Sequence, residues 1–289
     1  MDTNKNTYTV IYTIVMVAIV ATILAVVSMG LKNRQQTNIK VEKQMYILNC
    51  DGLATDAKKV SDRNSYVQGE FEKYIKEALL VSSDGETVLD KDGKPMHFKS
   101  EDCNIGDCEA FKVVTADQYS IMRKIDGTQD QAEKDKLAKS LQLPVFICDN
   151  PDGSKHYILS GFGAGLWGPI WTYIAVKEDG KIAGALFDHE SETPGLGGEI
   201  VTDKFYSQFT DKTIVCGGET VPVKIVKGGK ADGQKNEINA ISGATITSTA
   251  VQNMINQWMG YYKPYLQKIT GGSAPAETIA ETEETIKTE

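Results

Sequence analysis

The feature that most constrains this chain is an uncharged, mostly apolar run near its start, YTVIYTIVMVAIVATILAVVSMG, at residues 8–30. A helix of roughly 20 such residues crosses a hydrocarbon core about 30 Å thick. A cleaved signal peptide is the alternative, but its apolar region has only about 7–15 residues and ends in a small-residue cleavage pattern. This run is longer and SMGLKN is a poor cleavage site, so residues 1–30 are predicted to form an N-terminal tail and an uncleaved transmembrane anchor.

The charges beside this run do not settle its orientation. Lys5 precedes the run, whereas Lys32, Arg34, Lys40 and Lys43 follow it. The positive-inside tendency would keep the larger part of the chain in the cytoplasm, but this tendency weakens when a long folded domain follows the span. Charge alone leaves the orientation open.

The rest of the chain has the composition of a folded protein. Of the 289 residues, 41% are hydrophobic, and 39 acidic against 31 basic residues give a net charge of −8. Nucleic-acid binding requires clustered lysines and arginines, and the sequence contains no such run. Nucleic acid is therefore excluded as a partner.

Residues 31–150 are predicted to form a stalk helix followed by a mixed α/β region. Residues 31–48 mix polar and apolar positions as a helical stalk does, and apolar residues recur at helical spacing over 66–80. GETVLDKDGKPMHF contains the Asp-Gly turn of a short hairpin, and the charged residues 129–140 are typical of a surface helix. No pattern in this region indicates chemistry.

Residues 151–268 are predicted to form antiparallel strands and a long final helix. HYILSGF, WTYIAVK and KIAGALFD are typical strands, TIVC and VKIVK are shorter candidates, and the loops GFGAGLWGP and SETPGLGGEI are rich in glycine. The final helix is expected to begin near Ser242, continue to about Tyr262 and end at Pro264. The acidic tail, residues 269–289, is expected to be disordered. The predicted fold class is α+β, with an N-terminal transmembrane helix, a mixed α/β region and a C-terminal domain of antiparallel strands and a long final helix.

The segment ISGATITSTAV, residues 241–251, crowds hydroxyl side chains at the start of the final helix. One interpretation is a helix capped by Ser242, with Gly243, Ala244 and Thr245 as its first turn. Another is an attachment point, because the free N–H groups at a helix N-terminus favour phosphate, to which a threonine hydroxyl can be esterified. The residues alone do not choose between the two.

SETPGLGGEI and SGATITS together resemble the flavin-binding domain of the C subunit of the sodium-translocating NADH:quinone oxidoreductases. The related G subunit of the Rnf electron-transport complex shares both motifs. GLWGPIWTYIAV, KIVKGG and the anchor with its stalk extend the resemblance to the C subunit over roughly residues 8–268. It implies FMN joined by a phosphoester, installed by a flavin transferase, to the threonine after Gly-Ala. That residue is Thr245 here, and Thr247 is the nearby alternative.

The resemblance also implies a cofactor site built from both motifs. Glycines let the backbone approach the polar edge of a flavin, Leu196 is expected to pack on the ring, and Trp167 is a candidate aromatic wall. The family motif usually has Asp at the position of Asn239, which keeps a hydrogen-bonding oxygen but loses the charge. Besides Thr245, the expected cofactor-binding residues are Ser242, Gly243, Ala244, Thr247, Glu192, Thr193, Gly195, Leu196, Gly197 and Trp167.

No metal site or catalytic residue is predicted. Cys103 and Cys108, in CNIGDC, are close enough for a disulfide or remain free thiols, and the five cysteines form no familiar metal pattern. His189 precedes Glu190 and Glu192 but has no second histidine at ligand spacing. We expect neither metal binding nor acid–base catalysis there.

The resemblance implies an electron carrier that receives electrons originating from NADH and passes them through FMN towards ubiquinone, coupled to sodium export. Alternatives are an electron carrier of the type found in the Rnf complex and a membrane-anchored scaffold without flavin. The implied partners are the other subunits of the complex, the flavin transferase and the membrane. The family places its flavin domain outside the cytoplasm, which implies a single-pass protein of the cell inner membrane with its soluble domain on the periplasmic side.

Overall fold

The computed structural model describes residues 6–232 and 236–271. One helix, α1 (Asn6–Asn49), runs without a break through the apolar run and the stalk. Among the described residues it is the one helix long and apolar enough to cross a membrane. The described part of the chain divides into two compact units, and the boundary lies between residues 44 and 45. The tail predicted to be disordered lies outside the described residues from position 272 onward.

The second unit is built on a six-stranded sheet in the order β2-β1-β3-β4-β5-β6, with every neighbouring pair antiparallel. Its strands are β1 (Ile75–Val81), β2 (His97–Lys99), β3 (Leu143–Asp149), β4 (Lys155–Ala164), β5 (Pro169–Lys177) and β6 (Ile182–His189). Two small ladders accompany it: β7 (Val215–Cys216) with β8 (Glu219–Thr220), and β9 (Lys224–Val226) with β10 (Glu237–Asn239). The antiparallel strands predicted for the second region are confirmed.

Helices cover both faces of this sheet, which explains why β3 is apolar along nearly its whole length. On one face Phe71, Phe111 and Phe146 pack edge to face. On the other face the Trp258 indole donates to the Phe162 carbonyl at 2.7 Å and the Tyr262 hydroxyl donates to the Pro144 carbonyl at 2.8 Å. The helices of this unit are α2 (Arg63–Tyr74), α3 (Glu109–Lys112), α4 (Thr115–Gly127), α5 (Gln131–Lys139), α6 (Asp203–Tyr206) and α7 (Thr245–Ile269).

The helix predicted over residues 66–80 is wrong in its second half. α2 ends at Tyr74, and Ile75–Val81 forms the strand β1 between β2 and β3. A strand inside a sheet covered on both faces has apolar residues on both sides, so four consecutive apolar positions, 78–81, fit it. The same short apolar run is compatible with a helix when only sequence spacing is available.

The expected end of the final helix at Pro264 is also wrong. α7 continues through the proline to Ile269. Proline inside a helix removes a hydrogen bond and costs about 3 kcal/mol. The helix buries large side chains before and after this proline, namely Tyr262, Tyr265 and Leu266. Burying each such side chain contributes roughly 1.5–3 kcal/mol. The free energy gained by burying these side chains therefore exceeds the cost of the proline.

The helix also starts later than predicted. Its first residue is Thr245, so Ser242 is not the cap, and the N-cap residue is Ala244. Gly243 has φ +76°, a left-handed conformation that cannot belong to a helical turn, and the Ala244 N–H closes a turn onto the Ile241 carbonyl. Ser242, Gly243 and Ala244 therefore form a turn that leads into α7.

The regions predicted as 31–150 and 151–268 share one sheet. Residue 150 lies between β3 and β4, which pair from Val145 with Leu159 to Asp149 with Lys155. The compact units instead separate between residues 44 and 45, within α1. All five cysteines are free, so Cys103 and Cys108 are separate thiols; Cys50, Cys108 and Cys148 are buried.

Candidate functional site

A cleft of about 370 Å³ follows the first three turns of α7, and we call it the α7 cleft. Two neighbouring rows of α7 line it, one polar and one largely apolar, because residues four apart lie on the same helix face. The polar row is Thr245, Thr249, Asn253 and Gln257, and the other row is Ile246, Ala250 and Met254. Gly163–Gly165, where β4 ends, and Tyr119 of α4 complete the lining.

The two candidate threonines have different surroundings. Thr245 is partly exposed and lines the α7 cleft. Thr247 is 1% exposed, and its hydroxyl donates to the Glu192 carboxylate at 2.7 Å. The Thr245 side chain is therefore accessible from the α7 cleft. The Thr247 hydroxyl is buried and already hydrogen-bonded to Glu192.

The start of α7 offers backbone donors beside Thr245. A helix leaves its first N–H groups without partners inside the helix. The Ser248 N–H donates to the Ala244 carbonyl at 2.9 Å, so the N–H groups of Thr245, Ile246 and Thr247 are the ones outside that ladder. These donors, with the positive end of the helix dipole, favour an anion at this position.

Glu192 is a buried carboxylate that ties three segments together. It is 3% exposed, and its Oε1 accepts from the backbone N–H groups of Leu166 at 2.6 Å and Trp167 at 2.9 Å. Its Oε2 accepts from Thr247. All three partners are donors, so the buried carboxylate is compensated without a cation. The sequence placed Glu192 in the cofactor site, and the structure puts it under the loop that carries Trp167.

Close packing requires glycine at position 197. A Cβ there would lie 2.2 Å from Glu192 Oε2 and 2.6 Å from Thr247 Oγ1. Glycine is favoured at position 195 for a different reason: its φ is +75°, a left-handed backbone conformation, although a Cβ there would meet only open space. The exposed Thr193 contributes its carbonyl, which accepts from the N–H groups of Leu196 at 3.1 Å and Gly198 at 2.9 Å.

Two large apolar side chains stand exposed on these loops. Trp167 is 65% exposed and Leu196 is 43% exposed. A Cβ at Gly243 would lie 2.9 Å from a Leu196 methyl group, so Leu196 sits beside the turn that leads into Thr245. Glu192 couples the Trp167 loop to the same helix start. The structure thus gathers the two sequence motifs around the first turn of α7.

Asn239 stands where the family motif has Asp, and its hydrogen bonds fix the loop that contains Ala231. Its side-chain oxygen accepts from the Ala231 N–H at 3.1 Å, and its own N–H donates to Gln208 Oε1 at 2.9 Å. An amide oxygen performs this acceptor role as a carboxylate oxygen would. Among the described residues, no group of three or more His, Cys, Asp or Glu side chains is arranged to hold a metal ion.

Of the residues that line the α7 cleft, sequence reasoning named Thr245 as a cofactor residue and missed the others, among them Tyr119 and Asn253. Tyr119 comes from the region in which no chemistry was recognised, and it packs on Phe162 with the ring centres 5.7 Å apart. Asn253 could have been found, because it lies two turns beyond Thr245 on the same face. Tyr119 could not, because it is far from both motifs along the chain.

Comparison with known proteins identifies the family. Residues 165–260 match the FMN-binding domain family. The C subunit of the Na(+)-translocating NADH-quinone reductase of Vibrio vulnificus is 29% identical over 253 residues, which cover 86% of this chain and 90% of that protein. The crystal structure of the C subunit of this reductase from Parabacteroides distasonis is 31% identical with a TM-score of 0.63, covering 82% of this chain and 96% of that one. This chain belongs to the C-subunit family of the Na(+)-translocating NADH-quinone reductases.

Membership in the C-subunit family confirms several predictions made from the sequence. They are the family itself, the α+β fold with its N-terminal apolar helix, the place of the chain as a subunit of this oxidoreductase, and FMN as the cofactor. Shewanella oneidensis NqrC shares the fold, with a TM-score of 0.57 at 21% identity, covering 80% of this chain and 98% of that one.

Proposed function

We propose that this protein carries electrons through an FMN joined by a phosphoester to Thr245, within a sodium-translocating NADH:quinone oxidoreductase. The observation that carries the proposal is the difference between the two threonines. Thr245 opens into the α7 cleft beside backbone donors, while the Thr247 hydroxyl is buried on Glu192. When bound, FMN supplies the electron-accepting and electron-donating chemistry, and the protein supplies position and electrostatics.

The chain's own groups have separate tasks in this proposal. The N–H groups of Ile246 and Thr247 face the phosphate and stabilise its charge together with the helix dipole. Leu196 and Trp167, exposed beside the helix start, contact the isoalloxazine ring. Glu192 touches no cofactor atom and instead fixes the Trp167 loop against α7. Removing surrounding solvent from the Leu196 and Trp167 side chains makes the ring contact favourable.

The proposal includes the setting of the protein. α1 anchors the protein in the cell inner membrane with a single span, and residues 45–271 face the periplasm. The partners are the other subunits of the complex and a flavin transferase that forms the phosphoester. Asn239 keeps the acceptor that its loop requires, so the loop geometry is compatible with attachment.

Two isosteric variants test the attachment site. Thr245→Val removes the hydroxyl that would carry the phosphate, so we expect intact-mass measurement of the purified full chain to show no covalent flavin. Thr247→Val removes a donor from the buried Glu192, at a cost of about 1–3 kcal/mol of unfolding free energy, and should retain the flavin. Both chains are expressed with the flavin transferase, and circular dichroism verifies folding.

The reverse result, with flavin lost only in Thr247→Val, would move the attachment to Thr247. A wild-type chain without the mass increment would instead remove the phosphoester from the proposal.

A further inference from the structure

The polar row of the α7 cleft contains groups that the fold itself does not use. Across the part of the chain that the structure describes, neither the Thr249 hydroxyl nor the Asn253 amide has a hydrogen-bond partner, and both residues are exposed. Several hydroxyls in other helices bond back to the carbonyl four residues earlier, as at Thr13, Thr22, Thr37 and Ser120. Thr249 keeps its hydroxyl available on the cleft side.

The neighbouring amides of α7 show what a structural amide does in this helix. Asn256 accepts from the Val223 N–H at 3.0 Å and donates to the Val223 carbonyl at 3.1 Å. Gln252 accepts from the Ile225 N–H at 2.7 Å, and the Gln257 amide donates to an Asp126 carboxylate oxygen at 3.0 Å. Asn253 has none of these tasks and instead lines the cleft.

From this arrangement we infer that Thr249 and Asn253 bind the polyol chain of the flavin nucleotide. This inference rests on the proposed attachment at Thr245. A polyol presents hydroxyls that both donate and accept, and a threonine hydroxyl and an asparagine amide likewise offer both. The planar ring packs on apolar side chains instead, and Leu196 and Trp167 stand exposed beside the helix start.

The spacing along α7 suits a chain that leaves Thr245. Thr249 lies about 6 Å and Asn253 about 12 Å further along the helix axis. Helical side chains lean towards the N-terminus, so the Asn253 amide reaches back over the turn of Thr249. Tyr119 also lines the cleft, so the bound polyol is expected to lie beside its ring.

The test compares two asparagines of the same helix in the full-length, flavin-loaded protein. Asn253→Leu should keep the covalent flavin mass and the thermal unfolding midpoint of wild type, but lose visible circular dichroism of the flavin and shift its midpoint potential. Asn256→Leu should lower the unfolding midpoint, because it leaves the Val223 groups unpaired, and keep the flavin spectrum unchanged. Thr249→Val should resemble Asn253→Leu in the spectrum.

An unchanged flavin spectrum and potential in both Asn253→Leu and Thr249→Val, at full flavin mass, would overturn the polyol assignment while leaving the attachment at Thr245 intact. A wild-type chain without covalent flavin is a different result, because it removes the proposed attachment at Thr245 and this inference with it.

Discussion

Glu192 joins three segments through one carboxylate, and it carries the clearest prediction about a single residue. Glu192→Gln replaces one acceptor oxygen by an NH₂ group, which then faces a donor, either Thr247 or the N–H groups of the Trp167 loop. We expect a loss of about 1–3 kcal/mol in the free energy of unfolding. Thermal unfolding of the full chain in detergent measures it.

The matched control for this change is Glu190→Gln, two residues earlier on the exposed surface. It removes the same charge without a buried donor, so its effect should stay within about 0.5 kcal/mol. Equal losses in both variants would mean that the buried contacts of Glu192 contribute nothing beyond its charge.

The sequence contains the residues of the site but not all of their tasks. Thr245 follows from its motif, and the helix start supplies the physical reason. The task of Glu192 could not be predicted, because its backbone donors at Leu166 and Trp167 are about 25 residues away along the chain and meet it only once β5 and β6 have paired. These contacts exist only in the folded sheet, and the local spacing of residues along the chain does not reveal them.

The turn after β1 packs on α7 beside Pro264, the proline inside the helix. Gly85 has φ +76°, and a Cβ there would lie 2.6 Å from the Pro264 carbonyl carbon and from the Tyr265 nitrogen. Lys268 donates to the Gly85 carbonyl at 2.7 Å. Gly85→Ala should therefore carry both the left-handed penalty of about 1–2 kcal/mol and an overpacking cost of about 1–3 kcal/mol.

Gly93→Ala separates the two contributions. Gly93 has φ +77° and open space around its Cβ direction, so only the backbone penalty applies. The thermal unfolding midpoint should fall further for Gly85→Ala than for Gly93→Ala. Equal midpoints would show that the turn can move away from α7 at little cost.

Helices and strands whose apolar residues recur at a regular spacing could be predicted from the sequence. Those whose conformation depends on tertiary packing could not. The strands β4, β5 and β6 and the exposed helix α5 lie where the sequence pattern places them. β1 was not predicted, because its apolar run is equally compatible with a helix until β3 and β2 flank it. The sequence predicts a helix end at Pro264 because the local cost of a proline is visible in the sequence, whereas the burial of Tyr265 and Leu266 is not.

The most informative prediction about the whole protein concerns its orientation: we expect the domain that contains the sheet to fold on the periplasmic side of the membrane. A reporter that needs disulfides, such as an alkaline phosphatase, becomes active only outside the cytoplasm. Fused after residue 270, it should be active, and a reporter that works only in the cytoplasm should be inactive at the same position. The opposite pair of activities would place the domain in the cytoplasm, as the charges that follow the apolar run suggest.

The proposed periplasmic location is oxidising, so the reactivity of the free cysteines matters there. Burial raises the pKa of the Cys50, Cys108 and Cys148 thiols. Thiol oxidation and disulfide exchange proceed through the thiolate, so these three groups are protected both by lack of access and by lack of ionisation. Burial thus keeps these three thiols from reacting, so in the proposed periplasmic location the core can stay reduced without a disulfide.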